Sequence, residues 1–367
     1  MQNILFSILL LIFTNGLFAE TITPEEMEPS KTSFIITHPT VSNIKNFQYL
    51  IDNNILKIPN VKIYGVFYKF EKYDYAASEE YIKENNLSHF QLVEIDDSIP
   101  AEKIRQQNAC SDDFYLLAKS VQGIIFLGGD DLPPATYNNQ TNLLTGIDDP
   151  QRHYFELSFV YHLLGNFPVT QDSFPILKNN PNFIVWGICL GMQTINVALD
   201  GSLIQDISSE LYGCKTVEDV LAMDTNNVHK NYERLLHSDL SMTGGKFHPI
   251  RFSGKSFLKA IADTIKNTTP LVYSYHHQCV KVLSPDFTLI ATSLDGKVPE
   301  AMHHKIYPNV YGFQFHFEYQ YLYDENIKVL IHTSDKSQQS LRHYLKQHGS
   351  LVFQYKVWEY FSKTLMP

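Results

Sequence analysis

A cysteine between two glycines is the residue of this sequence best placed to act as a nucleophile. Cys189 stands in the run from Gly187 to Gly191, after an apolar segment that begins at Phe183 and before a helix-like pattern from Leu190 to Ala198. A strand, a sharp turn and a helix in this order predict a nucleophile elbow. The glycines would let strand and helix approach closely, and the helix N-terminus would favour a thiolate. The alternative is a buried cysteine beside two loop glycines.

A histidine and a glutamate near the C-terminus are the candidate partners of this cysteine. His316 and Glu318 lie two residues apart, and we predict that Val310 to Phe317 is the final strand and carries His316. Side chains two apart on a strand point to the same face, so the carboxylate would orient the imidazole. The other ring nitrogen would accept the thiol proton. The sequence thus predicts a Cys-His-Glu triad; the alternative is a buried structural His–Glu pair.

A pair of glycines at the end of another predicted strand is a candidate oxyanion hole. The apolar run from Gly123 to Leu127 leads directly into Gly128 and Gly129. A tetrahedral intermediate needs two N–H donors, and backbone N–H groups of this pair, together with that of Leu190, would supply them. A simple turn is the alternative.

Strands that alternate with helices are predicted to hold these residues. Such alternation predicts a mostly parallel sheet covered on both faces, with ligands bound beyond the C-terminal ends of the strands. The predicted strands are 33–37, 61–67, 90–95, 123–127, 248–252, 272–282, 288–294 and 300–304, and the predicted helices are 46–51, 79–85, 101–107, 151–164, 256–265 and 351–363. Arg152 and Glu156 form an i,i+4 pair on one helix, either on the surface or near the site. Residues 208–245 are polar and read as an insertion or lid without assigned chemistry.

Composition narrows the function classes. The 367 residues are long enough for one large α/β domain or two small ones, and a hydrophobic content of 44% supports a substantial core. The net charge of -10 argues against nucleic-acid binding and offers no attraction to anionic lipid.

The N-terminus resembles a secretory signal. An apolar run from Ile4 to Phe18 ends at Ala19 and Glu20, and it is too short to be a good membrane-spanning helix. We therefore expect a signal peptide over 1–19, a polar tail over 20–32, and a secreted or periplasmic protein, or a lysosomal or vacuolar one if the source is eukaryotic. The first three residues carry no Lys or Arg, and a buried N-terminal strand or helix is the alternative.

Cysteine and histidine spacing shows no metal or nucleotide motif. Besides the candidate nucleophile the chain has three further cysteines, Cys110, Cys214 and Cys279, and they form no C-x-x-C motif. A disulfide between two of them, such as Cys110 with Cys214, is possible. Four histidines could suggest a metal site: His277, His303, His304 and His316. No two of them fall on one helix face with a carboxylate at the spacing of metal ligands. No Gly-x-Gly-x-x-Gly or Walker loop occurs. The sequence therefore predicts neither metal nor organic cofactor.

Five motifs in order carry a family resemblance. The segment 187–207 resembles the nucleophile segment of the class I glutamine amidotransferase-like superfamily, and within it the γ-glutamyl-γ-aminobutyrate hydrolase family, close to the γ-glutamyl hydrolases. Segments 128–137, 152–160, 274–281 and 311–318 are similar to the family's later motifs, and the resemblance covers about Phe34 to Tyr319. The chain departs from the family pattern at four positions: Leu127 and Phe317 replace proline, Leu190 replaces arginine and Tyr273 replaces asparagine.

The resemblance implies a fold, a reaction and a set of site residues. It implies a three-layer, flavodoxin-like α/β domain over 33–330, followed by a C-terminal extension over 331–367. It implies Cys189 as nucleophile, His316 as base and acid, Glu318 as orienting carboxylate, and Gly129 and Leu190 as oxyanion donors. It also implies a pocket for the γ-glutamyl group shaped by Gln193, Ser274, His276, His277 and Gln278.

The expected activity is cysteine-dependent hydrolysis of γ-glutamyl amide bonds through a thioester. The expected partner is a small γ-glutamyl substrate, without nucleic acid and without a membrane in the mature form. The alternative is a catalytically idle, exported binding or scaffold protein that retains the fold. The sequence does not indicate the leaving amine.

Overall fold

A computed structural model describes residues 21–30, 32–167, 174–238 and 240–366 of the chain. The predicted signal peptide over 1–19 lies outside the described residues. The strands are β1 (Ser33–Thr37), β2 (Lys62–Tyr68), β3 (Phe90–Ile95), β4 (Gly123–Phe126), β5 (Ile184–Ile188), β6 (Ser202–Ile204), β7 (Lys246–Phe252), β8 (Leu271–Ser274), β9 (Cys279–Val282), β10 (Phe287–Ser293), β11 (Pro299–His304), β12 (Val310–Phe313), β13 (Lys328–Val329) and β14 (Gln339–Ser340).

Helices lie between most of these strands. The α-helices are α1 (Val41–Asp52), α2 (Ala76–Glu84), α3 (Ser111–Ser120), α4 (Pro150–Leu164), α5 (Leu190–Ala198), α6 (Ile207–Tyr212), α7 (Val217–Leu221), α8 (Glu233–Leu236), α9 (Phe257–Ile265), α10 (Leu341–Gln347) and α11 (Leu351–Leu365). Short 3-10 turns include Ala101–Lys103, Thr225–Asn227 and Gln320–Leu322. None of the helices in the described ranges has the length and apolar character needed to cross a membrane.

A ten-stranded sheet forms the centre, in the order β3-β2-β1-β4-β5-β12-β11-β10-β7-β8. The six strands from β3 to β12 in this order are parallel. The strands beyond β12 pair antiparallel. The predicted three-layer α/β fold with a mostly parallel sheet is confirmed.

Alternation along the strands creates the two cores that flank this sheet. In β1, Phe34 and Ile36 belong to one apolar cluster, whereas Ile35 belongs to the other. The first cluster includes buried side chains of α1, α9 and α11, and the second includes those of α3, α4 and α5. Successive residues of a strand face opposite sides, so a strand buried on both faces must be apolar throughout.

Three sequence predictions about elements were wrong. The helix over 101–107 is only the 3-10 turn Ala101–Lys103, and the strand over 272–282 is broken into β8 and β9 in different sheets. His276 Nδ1 lies 2.8 Å from the carbonyl oxygen of Gln278, so a local turn replaces the ladder there. The final strand ends at Phe313, because beyond Gln314 the chain changes partner and His316 donates its N–H to the Tyr273 carbonyl at 2.8 Å.

Candidate active site

The turn between β5 and α5 forms the predicted elbow. Cys189 has φ 54° and ψ -106°, a backbone conformation that is unfavourable for any residue except glycine. Its N–H donates to the Phe313 carbonyl of β12 at 2.7 Å, which holds the strained turn against the neighbouring strand. The thiol-bearing residue therefore lies at the first turn of a helix, at the C-terminal end of a parallel strand.

The two flanking glycines are required by close packing, as the sequence predicted. A Cβ on Gly187 would lie 2.5 Å from the Gly191 carbonyl carbon, and a Cβ on Gly191 would lie 2.1 Å from the Phe126 carbonyl oxygen of β4. Any side chain at these positions would push α5 away from the sheet.

The structure brings Cys189, His316 and Glu318 together. His316 Nδ1 donates to Glu318 Oε1 at 2.6 Å, and the His316 ring also makes a hydrogen bond with the side chain of Cys189. The three residues are 6%, 2% and 2% exposed. Burial alone would lower the pKa of His316, but the Glu318 carboxylate and the Cys189 sulfur outweigh it and raise that pKa to about 10. This arrangement favours a charged imidazolium at His316 beside the Cys189 side chain, and the catalytic roles stay predictions.

A loop, rather than the predicted strand, brings His316 and Glu318 together. Both follow β12 in a loop, so strand alternation does not align them. Glu318 Oε2 accepts the N–H of Phe317 at 3.0 Å, a bond that the proline of the family pattern could not donate. The Phe317 carbonyl in turn accepts from Trp358 Nε1 of α11 at 2.9 Å and from the Tyr323 hydroxyl at 2.6 Å. The C-terminal extension thus anchors the triad loop.

A buried glutamine pair lies beneath the nucleophile. Gln314 Nε2 donates to the Cys189 sulfur at 3.7 Å, and its Oε1 accepts from Gln193 Nε2 at 3.2 Å. Gln193 also donates to the Gln278 carbonyl at 3.3 Å. Gln193 was predicted to shape the pocket, but it supports the floor from below. Gln314 was missed, although it lies within the 311–318 motif that carried the resemblance.

Gly129 and Leu190, the predicted oxyanion donors, lie side by side. A Cβ on Gly129 would lie 3.0 Å from Leu190 Cδ2, and the Leu190 N–H is in the first turn of α5, where no intrahelical acceptor exists. Arg152 Nη2 donates to the carbonyls of Leu127 at 3.2 Å and Gly128 at 3.0 Å, which directs those carbonyls away from the cavity. Arg152 and its partner Glu156 are 4% and 0% exposed, so the surface alternative for this pair was wrong.

The Gly129 position offers a direct test of this loop. We expect Gly129→Ala to lower kcat by about 10²- to 10³-fold, the effect of losing one oxyanion donor, because the new Cβ would lie 2.1 Å from Arg152 Nη1 and displace the loop. Gly146→Ala is the matched control, since Gly146 lines the same cavity and a Cβ there meets nothing within 4 Å. Steady-state kinetics on both variants measure the effect. Equal kcat values for Gly129→Ala and Gly146→Ala would show that Gly129 is not part of the oxyanion hole.

A cavity of about 720 Å³ opens above the cysteine, and Gly128, Gly129, Cys189 and His316 line it. Its lining carries both signs of charge: Asp130, Asp131, Asp206, Lys215, Lys230 and His277. Of the five predicted pocket residues, only His277 is among the lining residues. The other four are at most 4% exposed and lie beneath the wall: Gln193, Ser274, His276 and Gln278.

His277 joins two acidic residues of the cavity. Its Nε2 lies 3.0 Å from Asp131 Oδ2 and its Nδ1 lies 3.3 Å from Asp206 Oδ2. Burial opposes the charge, but the hydrogen bonds to Asp131 and Asp206 raise the pKa of His277 to about 9. A charged His277 therefore connects the loop after β4 with the first turn of α6 at neutral pH.

This bridge predicts a pH dependence of stability. A histidine whose folded pKa is raised stabilises fully below its unfolded pKa of about 6.5, and the contribution disappears as pH rises through about 9. The difference in unfolding free energy between wild type and His277→Gln should therefore shrink as the pH rises from about 6.5 to about 9. Urea unfolding across that range measures it. His303→Gln is the control, because burial lowers the pKa of His303 and leaves it neutral there; a constant difference for His277→Gln would contradict the bridge.

The 208–245 segment supplies much of the cavity wall. Lys215, Lys230, Tyr232 and Leu235 line the cavity, although the sequence assigned no chemistry to the segment. Polar composition alone did not distinguish a solvated loop from the wall of a cavity. Tyr319, which stacks on the His316 ring with centroids 4.4 Å apart, was likewise missed.

All four cysteines are free thiols, so the disulfide left open between Cys110 and Cys214 is not formed. Burial raises the pKa of Cys110 to about 12, and it raises the pKa values of Cys214 and Cys279 as well. These three cysteines therefore have little thiolate character at neutral pH.

Comparisons with known proteins find glutamine amidotransferase-like relatives. Over 229 residues the chain is 28% identical to a glutamine amidotransferase-like protein of Rickettsia prowazekii, an alignment that spans 57% of this chain and 74% of that protein. A glutamine amidotransferase-like protein of Lactococcus lactis subsp. lactis is 28% identical over 198 residues, or 54% of this chain and 66% of that one. The crystal structure of a glutamine amidotransferase from Methylobacillus flagellatus covers 89% of this chain and 94% of its own at 14% identity, with a TM-score of 0.37, a likeness too distant to support an inference.

The family model of peptidase C26 matches residues 79–318, which include the elbow, the cavity wall and the whole Cys-His-Glu set. Because this match covers more than half of the chain, the chain belongs to the peptidase C26 family, as a cysteine-dependent enzyme of the amidase or peptidase type.

Proposed function

We propose that this protein hydrolyses γ-glutamyl amide bonds. The observation that carries the proposal is the contact of Cys189 with a Glu318-bound His316 on the floor of a cavity lined by both acidic and basic groups. The family resemblance supports the substrate class, and the leaving amine is left open.

The geometry supports a two-step acyl transfer. In the first step, Cys189 Sγ bonds to the γ-carbonyl carbon, and its proton resides on His316. The developing oxyanion lies beside the N–H groups of Gly129 and Leu190. The C–N bond then breaks as His316 returns the proton to the amine, leaving a thioester. Water, deprotonated by His316, attacks the thioester, the S–C bond breaks, and glutamate leaves.

Charge in the cavity matches the head of a γ-glutamyl group, which carries an α-ammonium and an α-carboxylate. Asp130 and Asp131 follow the glycine pair and offer partners for the ammonium, whereas Lys215 and Lys230 on the insert offer partners for the carboxylate. Charges of both signs in one cavity would also help to fix the direction of the substrate. A neutral acyl group would use neither set of charges.

A substrate series tests this proposal. γ-Glutamyl p-nitroanilide is compared with glutaryl p-nitroanilide, which lacks the ammonium, and 4-aminobutyryl p-nitroanilide, which lacks the carboxylate. We expect kcat/KM to fall by about 10²-fold or more for each, because each removal takes away one of the two charges that the side chains of the cavity would bind. Equal hydrolysis of all three anilides would exclude the γ-glutamyl class while leaving a cysteine amidase.

We also propose that the protein is exported, on the basis of the apolar segment that ends at Ala19. N-terminal sequencing of protein from the medium or periplasm should begin near Glu20. Recovery of intact Met1 from the cytosol would contradict export, without bearing on the chemistry of the site.

A further inference from the structure

Three histidines and a glutamate from four separate segments converge below the cavity wall. His229 belongs to the 208–245 insert, His248 to β7, His276 to the loop between β8 and β9, and Glu300 to β11. Each offers one ligand atom, and these atoms all lie within 4.8 Å of one another. The four residues are 3%, 0%, 4% and 0% exposed, so the cluster is closed to solvent.

The shortest distances in this cluster match the edges of a metal coordination tetrahedron. His229 Nδ1 lies 3.2 Å from His248 Nε2 and 3.2 Å from Glu300 Oε1, and His248 Nε2 lies 3.7 Å from the same oxygen. Four ligands at about 2.0–2.1 Å from a Zn²⁺ ion lie about 3.3–3.4 Å apart. Bringing the ligand atoms to these separations needs only small movements of side chains.

Two of the four residues offer the cluster an atom that has no other hydrogen-bond partner. Within the described residues, neither oxygen of Glu300 has a hydrogen-bond partner, and His276 Nε2 has none. A buried carboxylate is costly unless its charge is compensated, and a cation held between it and the imidazoles would supply that compensation. Within the same ranges, Glu300 makes ion-pair contacts only with His229 and His248.

Neighbouring carbonyls orient two of the imidazoles as they do around bound metals. His276 Nδ1 lies 2.8 Å from the Gln278 carbonyl, and His248 Nδ1 lies 3.3 Å from the Pro249 carbonyl. If each Nδ1–H donates to its carbonyl, each Nε2 presents its lone pair to the cluster, the usual arrangement for metal-bound histidine.

We propose that His229, His248, His276 and Glu300 bind one divalent transition-metal ion, with Zn²⁺ as the best fit to three imidazoles and a carboxylate. Four protein ligands closed to solvent make a structural site, because a catalytic zinc keeps a position open for water or substrate. Binding would replace the 2.8 Å hydrogen bond between Ser274 Oγ and His248 Nε2.

The site would fasten the cavity wall to the sheet. His229 lies beside Lys230 on the insert, and His276 precedes His277, and both of these neighbours line the cavity. Without the metal, the His276 N–H bond to the His229 carbonyl at 3.2 Å is a direct backbone link between the two segments. A shared ion would add two ligand bonds from β7 and β11, so that the wall and the sheet would move as one unit.

Zinc titration of the full chain tests the proposal. Cys189→Ser is used as the background, because a cysteine beside a histidine is itself a zinc-binding pair. The protein is stripped with EDTA, dialysed and titrated with ZnCl₂, with calorimetry and elemental analysis as readouts. We expect one equivalent of zinc, a higher Tm, and with Co²⁺ the visible absorption of a tetrahedral complex.

Ligand variants separate this site from others. Glu300→Gln and His229→Gln should each weaken zinc binding by at least about 100-fold. His303→Gln, on the same strand as Glu300 but outside the cluster, should bind as the background does. Since Glu300→Gln can fail to fold, His229→Gln on the insert supplies the second test. No zinc binding by the background protein, or binding unchanged in the folded ligand variants, overturns the proposal, and neither result bears on γ-glutamyl hydrolysis.

Discussion

Replacing Cys189 with alanine should lower kcat/KM for a γ-glutamyl anilide by about 10⁴-fold or more, because the thioester route requires the sulfur atom. The substitution keeps the Cβ on the strained turn and removes only Sγ, so the elbow and the Cys189 N–H bond to Phe313 should persist. Initial rates of nitroaniline release, with Tm as a check on folding, measure the effect. Activity that survives in a folded variant would exclude nucleophilic catalysis by this residue.

The other thiols provide the control for Cys189. Cys214 lines the same cavity, but its sulfur lies 3.3 Å from Met223 Sδ and burial raises its pKa, so Cys214→Ser should keep most of the activity. In wild type near pH 6, iodoacetamide should alkylate Cys189 first, since the raised pKa values keep Cys110 and Cys279 protonated. Mass spectrometry of tryptic peptides gives the order, and equal rates would contradict an activated thiolate.

The elbow was predictable because its causes are local. A Cβ on Gly187 would meet the backbone of Gly191 only four residues later, so this contact lies within one strand and the helix that follows it, whereas Gly191 packs against Phe126 of β4. The parallel sheet was predictable for a similar reason: strands buried on both faces have a continuous apolar centre, as Phe34, Ile35 and Ile36 of β1 show. The nucleophile and the fold could therefore be read from the chain in order.

The remainder of the site depends on contacts between distant segments. His316 and Glu318 were identified from a motif, but the loop that holds them is fixed by Tyr273, Tyr323 and Trp358, which no local pattern connects to it. The cavity wall was missed for the same reason, because the insert acquires its role only by packing beside the elbow. Alternation over 272–282 failed because the His276 side chain bonds the backbone carbonyl of Gln278 and a local turn interrupts the strand.

The histidine cluster shows the limit of spacing arguments. Zinc motifs are recognisable when ligands repeat within a turn or a hairpin, as in Cys-x-x-Cys. Here His229, His248, His276 and Glu300 come one from each of four segments, so no pair has a diagnostic separation. The antiparallel half of the sheet, β7 beside β10 and β10 beside β11, brings His248 and Glu300 together, and the backbone bond from His276 to His229 joins the other two segments.

Replacing Arg152 with methionine should destabilise the protein by about 3–5 kcal/mol, the usual effect of removing one partner of a buried ion pair. Arg152 Nε donates to Glu156 Oε1 at 3.0 Å, and Thr37 donates to the same oxygen at 2.8 Å. Burial raises the pKa of Glu71, and the charge of Arg152 opposes that rise. The variant would leave both carboxylates buried without their countercharge and would release the Leu127 and Gly128 carbonyls. Urea unfolding and kcat measure the two consequences.

A second i,i+4 pair in the same protein gives the matched control. Lys259 and Asp263 lie 2.7 Å apart on α9 with side chains 43% and 54% exposed, so Lys259→Met should cost less than about 0.5 kcal/mol. Arg152→Met combined with Glu156→Gln should recover part of the loss in stability, because it removes one of the uncompensated charges, but it should not restore kcat, since the oxyanion loop stays free. If Arg152→Met and Lys259→Met lower the free energy of unfolding equally, the buried pair does not hold the loop. A large loss of stability together with an unchanged kcat would separate the ion pair from the oxyanion hole.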